Sequence, residues 1–312
     1  MSANVLRMAP TSVSPSADVP KNADDYYRVL TGRNGHFVDE RTQANIKNLK
    51  VVVAGCGAGG GACIEPLARL GVTHFRIADN GDYELANLNR QHTFVDQVGV
   101  NKAVFHRNEL LRINPFIDVK AFAEGITAEN LPEMVQWADL IIDTVDVTTL
   151  PAIMLKFRLH ELAHQHEKAV VMPLDPGFCS MGETFDYRNP KVVPLDGRLA
   201  ACKRVKNPIH GLMELFPVGT WPLHSLQLVD DLLQNAKRPA SQLGCAADML
   251  GGVIAALVMR FADSGELLTE WSYDLGTLAL PRAKRWNTWV ASFGLKRKIR
   301  AKVREMRAEL SK

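Results

Sequence analysis

The stretch Val51-Val52-Val53-Ala54-Gly55-Cys56-Gly57-Ala58-Gly59-Gly60-Gly61 constrains this chain more than any other. Consecutive apolar, mostly β-branched residues suit a parallel strand buried on both faces. The glycines at 55, 57 and 60 then satisfy Gly-x-Gly-x-x-Gly, and Gly59 and Gly61 add further freedom. Between a strand and a helix, such a turn presents backbone amides and a helix N-terminus to a phosphate. Asp79 closes the next apolar run about 20 residues on, where a carboxylate can accept hydrogen bonds from ribose hydroxyls. Both features suit NAD as well as ATP.

The pattern after the glycine turn alternates. A helical stretch, Cys63 to Leu70, precedes a strand ending Ile77-Ala78-Asp79, and a helix from Asn101 to Ile113 is closed by Asn114-Pro115. A strand over 117–122, a helix over 129–137, a strand over Leu140 to Asp143, a helix over 150–166 and a strand from Ala169 to Leu174 follow. This predicts an α/β fold: a doubly wound, Rossmann-like, mainly parallel sheet with N-terminal helices and a C-terminal helical extension. Residues 1–22 read as a disordered leader, 23–48 as a helical segment and 49–185 as the nucleotide-binding Rossmann-like domain. Residues 186–280 read as a variable crossover completing the same domain. In them a Pro- and Gly-dense stretch carries one helix near Leu223 to Asn235, Cys245 to Phe261 forms an apolar helix, and Leu267 to Leu280 adds strands. Residues 281–312 read as a basic amphipathic helix, with eleven Lys or Arg against two Glu over 282–312.

Composition narrows the function. No run reaches the roughly 18 apolar residues of a membrane span, and the N-terminus has no signal-type core, so the expectation is a cytoplasmic protein without a membrane partner. Five cysteines without a Cys-x-x-Cys pair fit reduced thiols better than disulfides or a zinc ribbon. The formal charge of +3 is too small to call for nucleic acid.

Between the dehydrogenase and ATP readings, three further runs decide. They are Asn87-Leu88-Asn89-Arg90-Gln91, Val98-Gly99-Val100-Asn101-Lys102 and Asp143-Thr144-Val145-Asp146. Two cations and an acid are what phosphoryl chemistry requires, whereas hydride transfer needs room for nicotinamide. Together with the glycine turn, these runs resemble the E1-like superfamily that includes ThiF, MoeB, HesA and the activating enzymes of ubiquitin-like proteins. The resemblance spans roughly residues 24–185 and recurs around Cys245 to Phe261. It implies a homodimeric, ATP- and Mg²⁺-dependent adenylyltransferase whose glycines Gly55, Gly57, Gly59 and Gly60 cradle the nucleotide. Asp79 would hold the ribose, Asn87, Arg90 and Lys102 the phosphates, and Asp146 the magnesium. Arg33, in Arg33-Asn34, would reach into the partner subunit's site, with Arg28 as a second candidate.

The chain departs from the family pattern in having Gly81 for the second acid after Asp79, Val147 for the Asn after the metal acid, and no zinc-binding Cys pairs. Without zinc pairs and with an unusual central crossover, it resembles a sulfur-carrier activator less than the branch that modifies ribosomally made peptides, such as the microcin or pantocin maturation enzymes. Activation of a ubiquitin-like or sulfur-carrier C-terminus, an NAD-dependent oxidoreductase and a non-catalytic E1-like partner subunit are the other readings.

Several features have plainer accounts. His160-Glu161-Leu162-Ala163-His164 matches a zinc-protease motif but falls on a helix that must pack against the sheet. Cys179 and Cys202 lie where a thioester-forming cysteine would, yet read as small buried hydrophobes. Asp175, between Leu174 and Pro176, reads as a turn acid that could meet substrate. Trp286, Trp289 and Phe293, then Leu295, Ile299, Val303, Met306 and Leu310, form a stripe expected to be covered by the body or a second subunit.

Overall fold

The computed structural model describes residues 18–234 and 240–310. Of the expected leader, residues 1–17 lie outside these. The N-terminal helices are α1 (Ala23–Thr31), capped by Asn22, and α2 (Glu40–Asn48), capped by Asp39. Then β1 (Lys50–Ala54), α3 (Ala58–Leu70), β2 (His74–Ala78), α4 (Lys102–Ile113), β3 (Asp118–Phe122), α5 (Leu131–Trp137), β4 (Leu140–Asp143), α6 (Leu150–Gln165) and β5 (Ala169–Leu174) alternate as expected. The order β3-β2-β1-β4-β5 is parallel throughout, and β6 (Cys179–Asp186) and β7 (Glu270–Asp274) extend it antiparallel.

Alternation along β1 divides the core. Val51 and Val53 join α2, α3, α4 and the long α10 (Gly244–Ser264) on one face, with Ile46, Leu67, Leu110 and Ile254 fully buried. Val52 and Ala54 face α5, α6 and the later helices on the other. Helix α10 is long and apolar enough to cross a membrane by length and composition alone, and it is half buried. It lies against α3 so closely that a Cβ at Gly251 would stand 2.2 Å from the Ala62 carbonyl oxygen.

The crossover holds more structure than its composition suggests. Two short helices, α7 (Leu199–Cys202) and α8 (Pro208–Leu215), precede α9 (Leu223–Gln234). The 267–280 region supplies β7 and a single helical turn, α11 (Leu275–Leu278). The last helix, α12 (Arg282–Leu310), divides its apolar stripe. Ile299 and Val303 are buried in the body, whereas Trp286, Trp289 and Phe293 stack on one another and stay more than half exposed. The body of this chain covers Ile299 and Val303 but not Trp286, Trp289 and Phe293, and the side chain of Leu310 lies outside the described residues.

Candidate nucleotide site

The C-terminal ends of β1, β2, β4 and β5 open onto a cleft of about 1340 Å³, where ligands bind in sheets of this winding. Its floor is the glycine turn. Gly55 has φ +99°, and a Cβ there would lie 2.5 Å from the Thr144 carbonyl oxygen. At Gly60 a Cβ would lie 1.9 Å from the Gly55 carbonyl oxygen, so the first turn of α3 can sit on the loop only with glycine in that place. Gly57 is the N-cap of α3 and offers no side chain to the amides of the first turn, which leaves them directed at the cleft.

Asp79 follows β2. Its Oδ2 accepts from Cys56 N and its Oδ1 from Gly81 N, each at 2.7 Å, so the carboxylate assigned to ribose also ties the glycine turn to the end of β2. Asn101, the N-cap of α4, donates from Nδ2 to the Asp79 carbonyl oxygen at 3.0 Å. That contact sets Lys102, the first residue of α4, beside the same turn. A Cβ at Gly81 would be 3.5 Å from Lys102 Nζ, and this ammonium lies 5.9 Å from the Tyr83 ring.

Arg90 reaches the cleft from the other side of the loop. Its Nε donates to Gln242 Oε1 and its Nη1 to the Ala86 carbonyl oxygen, both at 2.8 Å. Asp146 follows β4, is exposed in the cleft and accepts from Thr148 N at 2.9 Å and Thr148 Oγ1 at 2.5 Å. Each carboxylate oxygen accepts one hydrogen bond and keeps a lone pair for a further partner. One carboxylate and phosphate oxygens suit Mg²⁺, which keeps several waters, so this donor set fits the metal.

Arg90, Lys102, Asp146, Asp79, Gly55, Gly57, Gly59 and Gly60 thus line one cleft. Two expected residues stand elsewhere. Asn87 is buried, and its Oδ1 accepts from Glu84 N at 3.1 Å, so its side chain caps the short helical turn that carries Arg90. Arg33 is exposed on the turn after α1 and lines no part of this cleft. The neighbouring Asn34 donates to Gln43 Oε1 at 2.9 Å and the Leu70 carbonyl oxygen at 3.1 Å, which fixes that turn against α3. Arg28 pairs with Asp25 on the surface.

Sequence reasoning missed two residues. Gln242 links Arg90 to Asp175, and no motif surrounds it. Lys156 lies buried under the cleft wall with its Nζ 2.7 Å from Asp143 Oδ1. Burial opposes the Asp143 charge, but Lys156 and His160 hold its carboxyl below the ordinary range. A basic residue in the interior-facing row of α6 was the available signal.

The same cluster disposes of the zinc-protease pattern. His160 is fully buried, with Nε2 3.2 Å from Asp143 Oδ2 and Nδ1 2.7 Å from the Tyr187 hydroxyl. Both ring nitrogens are engaged, and Glu161 is paired with Lys203. Cys179 and Cys202 are buried, and burial pushes their thiols up to about 11 and about 12, away from thiolate chemistry.

A phosphate-type turn with an acid one strand away and two cations opposite defines a Rossmann-like α/β protein with a nucleotide-shaped cleft. The chain belongs to the ThiF family, whose model matches residues 31–279. The sulfur carrier protein ThiS adenylyltransferase of Bacillus subtilis is 35% identical over 107 residues, which are 33% of this chain and 32% of that protein. Protein HesA of Nostoc is 35% identical over 105 residues, 33% of this chain and 42% of the relative. The chain spans less than half the length of these curated relatives. Among solved structures, PaaA superposes with a TM-score of 0.56 at 20% identity, covering 86% of this chain and 75% of that one. Escherichia coli MccB in complex with AMPCPP and MccA gives 0.52 at 19%, covering 75% and 65%. At such identities the likeness is one of fold.

Proposed function

We propose that this chain is an adenylyltransferase that uses ATP to activate a carboxylate on a peptide or small protein. One observation carries the reading: Arg90, Lys102 and Asp146, far apart in sequence, line the cleft that the glycine turn floors. In adenylylation a carboxylate oxygen forms a bond to the α-phosphorus, the bond from that phosphorus to the bridging oxygen breaks, and pyrophosphate leaves with the electron pair. The incoming anion is repelled by the triphosphate, and charge gathers on the departing oxygens. The Arg90 guanidinium, held through Nε and Nη1, can donate to phosphate oxygens from Nη2, and the Lys102 ammonium supplies a compact charge. Asp146 would hold Mg²⁺, which when bound neutralises phosphate oxygens. Asp79 would hold the ribose through whichever lone pairs its two backbone contacts leave free.

The relatives' names speak for the substrate class. ThiS is a sulfur carrier protein, and MccA accompanies MccB in its complex. Without zinc-binding Cys pairs, we favour maturation of a ribosomally made peptide over sulfur-carrier activation. We also propose a homodimer in which Arg33, remote from its own chain's cleft, serves the partner subunit's site. Retention of Arg90 and Lys102 argues against a non-catalytic partner subunit.

The test is substrate-dependent exchange of labelled pyrophosphate into ATP, using peptides encoded beside the gene. Exchange by the wild type that is lost in Lys102→Ala and Asp146→Ala, with unchanged melting, supports the reading. Exchange unchanged in both variants, or binding of NADH in place of ATP, removes it.

A further inference from the structure

Beyond the residues already given roles, one buried acid faces the cleft with an unmet valence. Asp175 follows β5, is 5% exposed and lines the cleft beside the start of α3, where a Cβ at Gly59 would lie 3.6 Å from its Oδ1. That Oδ1 accepts from Gln242 Nε2 at 3.3 Å, whereas Oδ2 has no partner. A buried carboxylate oxygen without a donor is costly, and native structures rarely leave one so unless something outside the chain completes it.

With Mg²⁺ assigned to Asp146, the missing partner must be a donor. Phosphate and carboxylate oxygens only accept, so neither the triphosphate nor the reacting carboxylate can satisfy Asp175. Ribose hydroxyls can donate, but strand order puts them elsewhere: Asp79 ends β2 on one side of the glycine turn, and Asp175 ends β5 two strands away on the other. Asp146 lies between them, after β4. The cleft is also lined by Leu212, Trp221, Leu228 and Met306, an apolar surface suited to a peptide rather than a nucleotide, and Leu228 lies against Gly177, two residues from Asp175.

We propose, resting on the adenylyltransferase reading, that Asp175 Oδ2 accepts a hydrogen bond from the backbone N–H of the substrate's terminal residue. The site thereby selects a peptidyl carboxylate over a simple carboxylic acid. In a peptide ending in a free carboxyl group, this N–H is the donor nearest the activated carbon. Its place on the substrate is the same whatever the terminal side chain.

The hydrogen-bond chain behind Asp175 fixes which atoms face the cleft. Arginine nitrogens only donate, so Gln242 must present Oε1 to Arg90 Nε and hence Nε2 to Asp175. An asparagine at 175 would be oriented by that same Nε2: its oxygen would turn to Gln242 and its NH₂ would take the position of Oδ2. Asp175→Asn therefore turns an acceptor into a donor with no change of shape.

The test uses two acyl-adenylate mimics, N-acetylglycyl-sulfamoyladenosine and its isostere with ester oxygen in place of the N–H, titrated calorimetrically against the full chain. The wild type should bind the amide about ten-fold or more tighter than the ester, as a hydrogen bond to a charged acceptor implies. In Asp175→Asn, and in Asp175→Ala as a second variant, the ratio should fall to about one or below. Equal binding of the two mimics by the wild type, or an unchanged ratio in both variants, overturns the proposal and leaves the adenylyltransferase reading standing. If the wild type binds neither mimic, both fall.

Discussion

Arg90 and Gln242 are hydrogen-bonded at 2.8 Å across 152 residues of chain, which joins the loop after β2 to the segment entering α10. A guanidinium free to sample solvent would have to be ordered before it could grip a phosphate. Here the Ala86 carbonyl oxygen and Gln242 have already ordered it.

Arg90→Ala and Gln242→Ala should each weaken ATP binding, Gln242→Ala by about ten-fold, the worth of a hydrogen bond to a charged group. The double variant should be little worse than Arg90→Ala alone, since Gln242 acts through Arg90. Calorimetry with Mg-ATP provides the cycle, and strictly additive losses would show that the two residues work independently.

Gly60→Ala reverses the usual helix rule. In an exposed helix the change would stabilise by about 1 kcal/mol. At this position the new Cβ would meet the Gly55 carbonyl oxygen at 1.9 Å and Thr144 Oγ1 at 2.5 Å, both part of the packed turn. Overpacking of this kind costs about 1–3 kcal/mol or more, so the steric term wins and the variant should be less stable in urea. It should also lose ATP affinity, because the loop can relieve the clash only by moving off the α3 amides.

Much of this was readable in advance, and the exceptions have physical causes. The strands β1, β4 and β5 announce themselves as apolar runs because helices cover both their faces. β6 does not: Ser180, Gly182 and Glu183 interrupt it. Those residues are legible only in the fold, where Glu183 meets Arg198 and the Trp271 ring lies so close over Gly182 that a Cβ would come within 2.3 Å. α8 carried a signal, since Asn207 caps it through His210 N at 2.8 Å and Pro208 opens it, but a Pro- and Gly-rich neighbourhood hid it. In the site, Arg90, Lys102 and Asp146 stood out because their chemistry fits phosphate, and the fold brings them to one cleft. Gln242 did not, because its value depends on partners distant in sequence, and for Asn87 the fold adds a turn that its Oδ1 caps.

The pair Asp143–Lys156 should behave as a buried ion pair with no spare solvent. Lys156→Met leaves the Asp143 carboxylate with His160 and the Val145 N–H but without its cation, and should cost about 3–5 kcal/mol of stability. Adding Asp143→Asn removes the stranded charge while an amide can still meet His160, so the double variant should recover part of the loss. Urea midpoints for the two single variants and the double variant check this; a double variant as weak as the sum of the singles would mean that the pair is not coupled.

Asp175 makes stability depend on pH in a direction opposite to most acids. Burial lifts its carboxyl from 3.8 to about 6, with its own backbone N–H, the Arg90 charge and the Gln242 contact opposing. Between these values the unfolded chain has released the proton that the folded chain still holds. Folding stability from this residue is therefore full below about pH 4 and declines as pH rises to about 6, by at most about 3 kcal/mol. Asp175→Asn cannot titrate. Its melting temperature relative to wild type should climb across that interval and level off above it, and any constant cost of burying the amide shifts the whole curve without changing its slope. Thermal melts from pH 4 to 8 give the difference directly. A flat difference would mean that water reaches this carboxylate in the free protein, and the unmet valence on Oδ2 would then be satisfied without substrate.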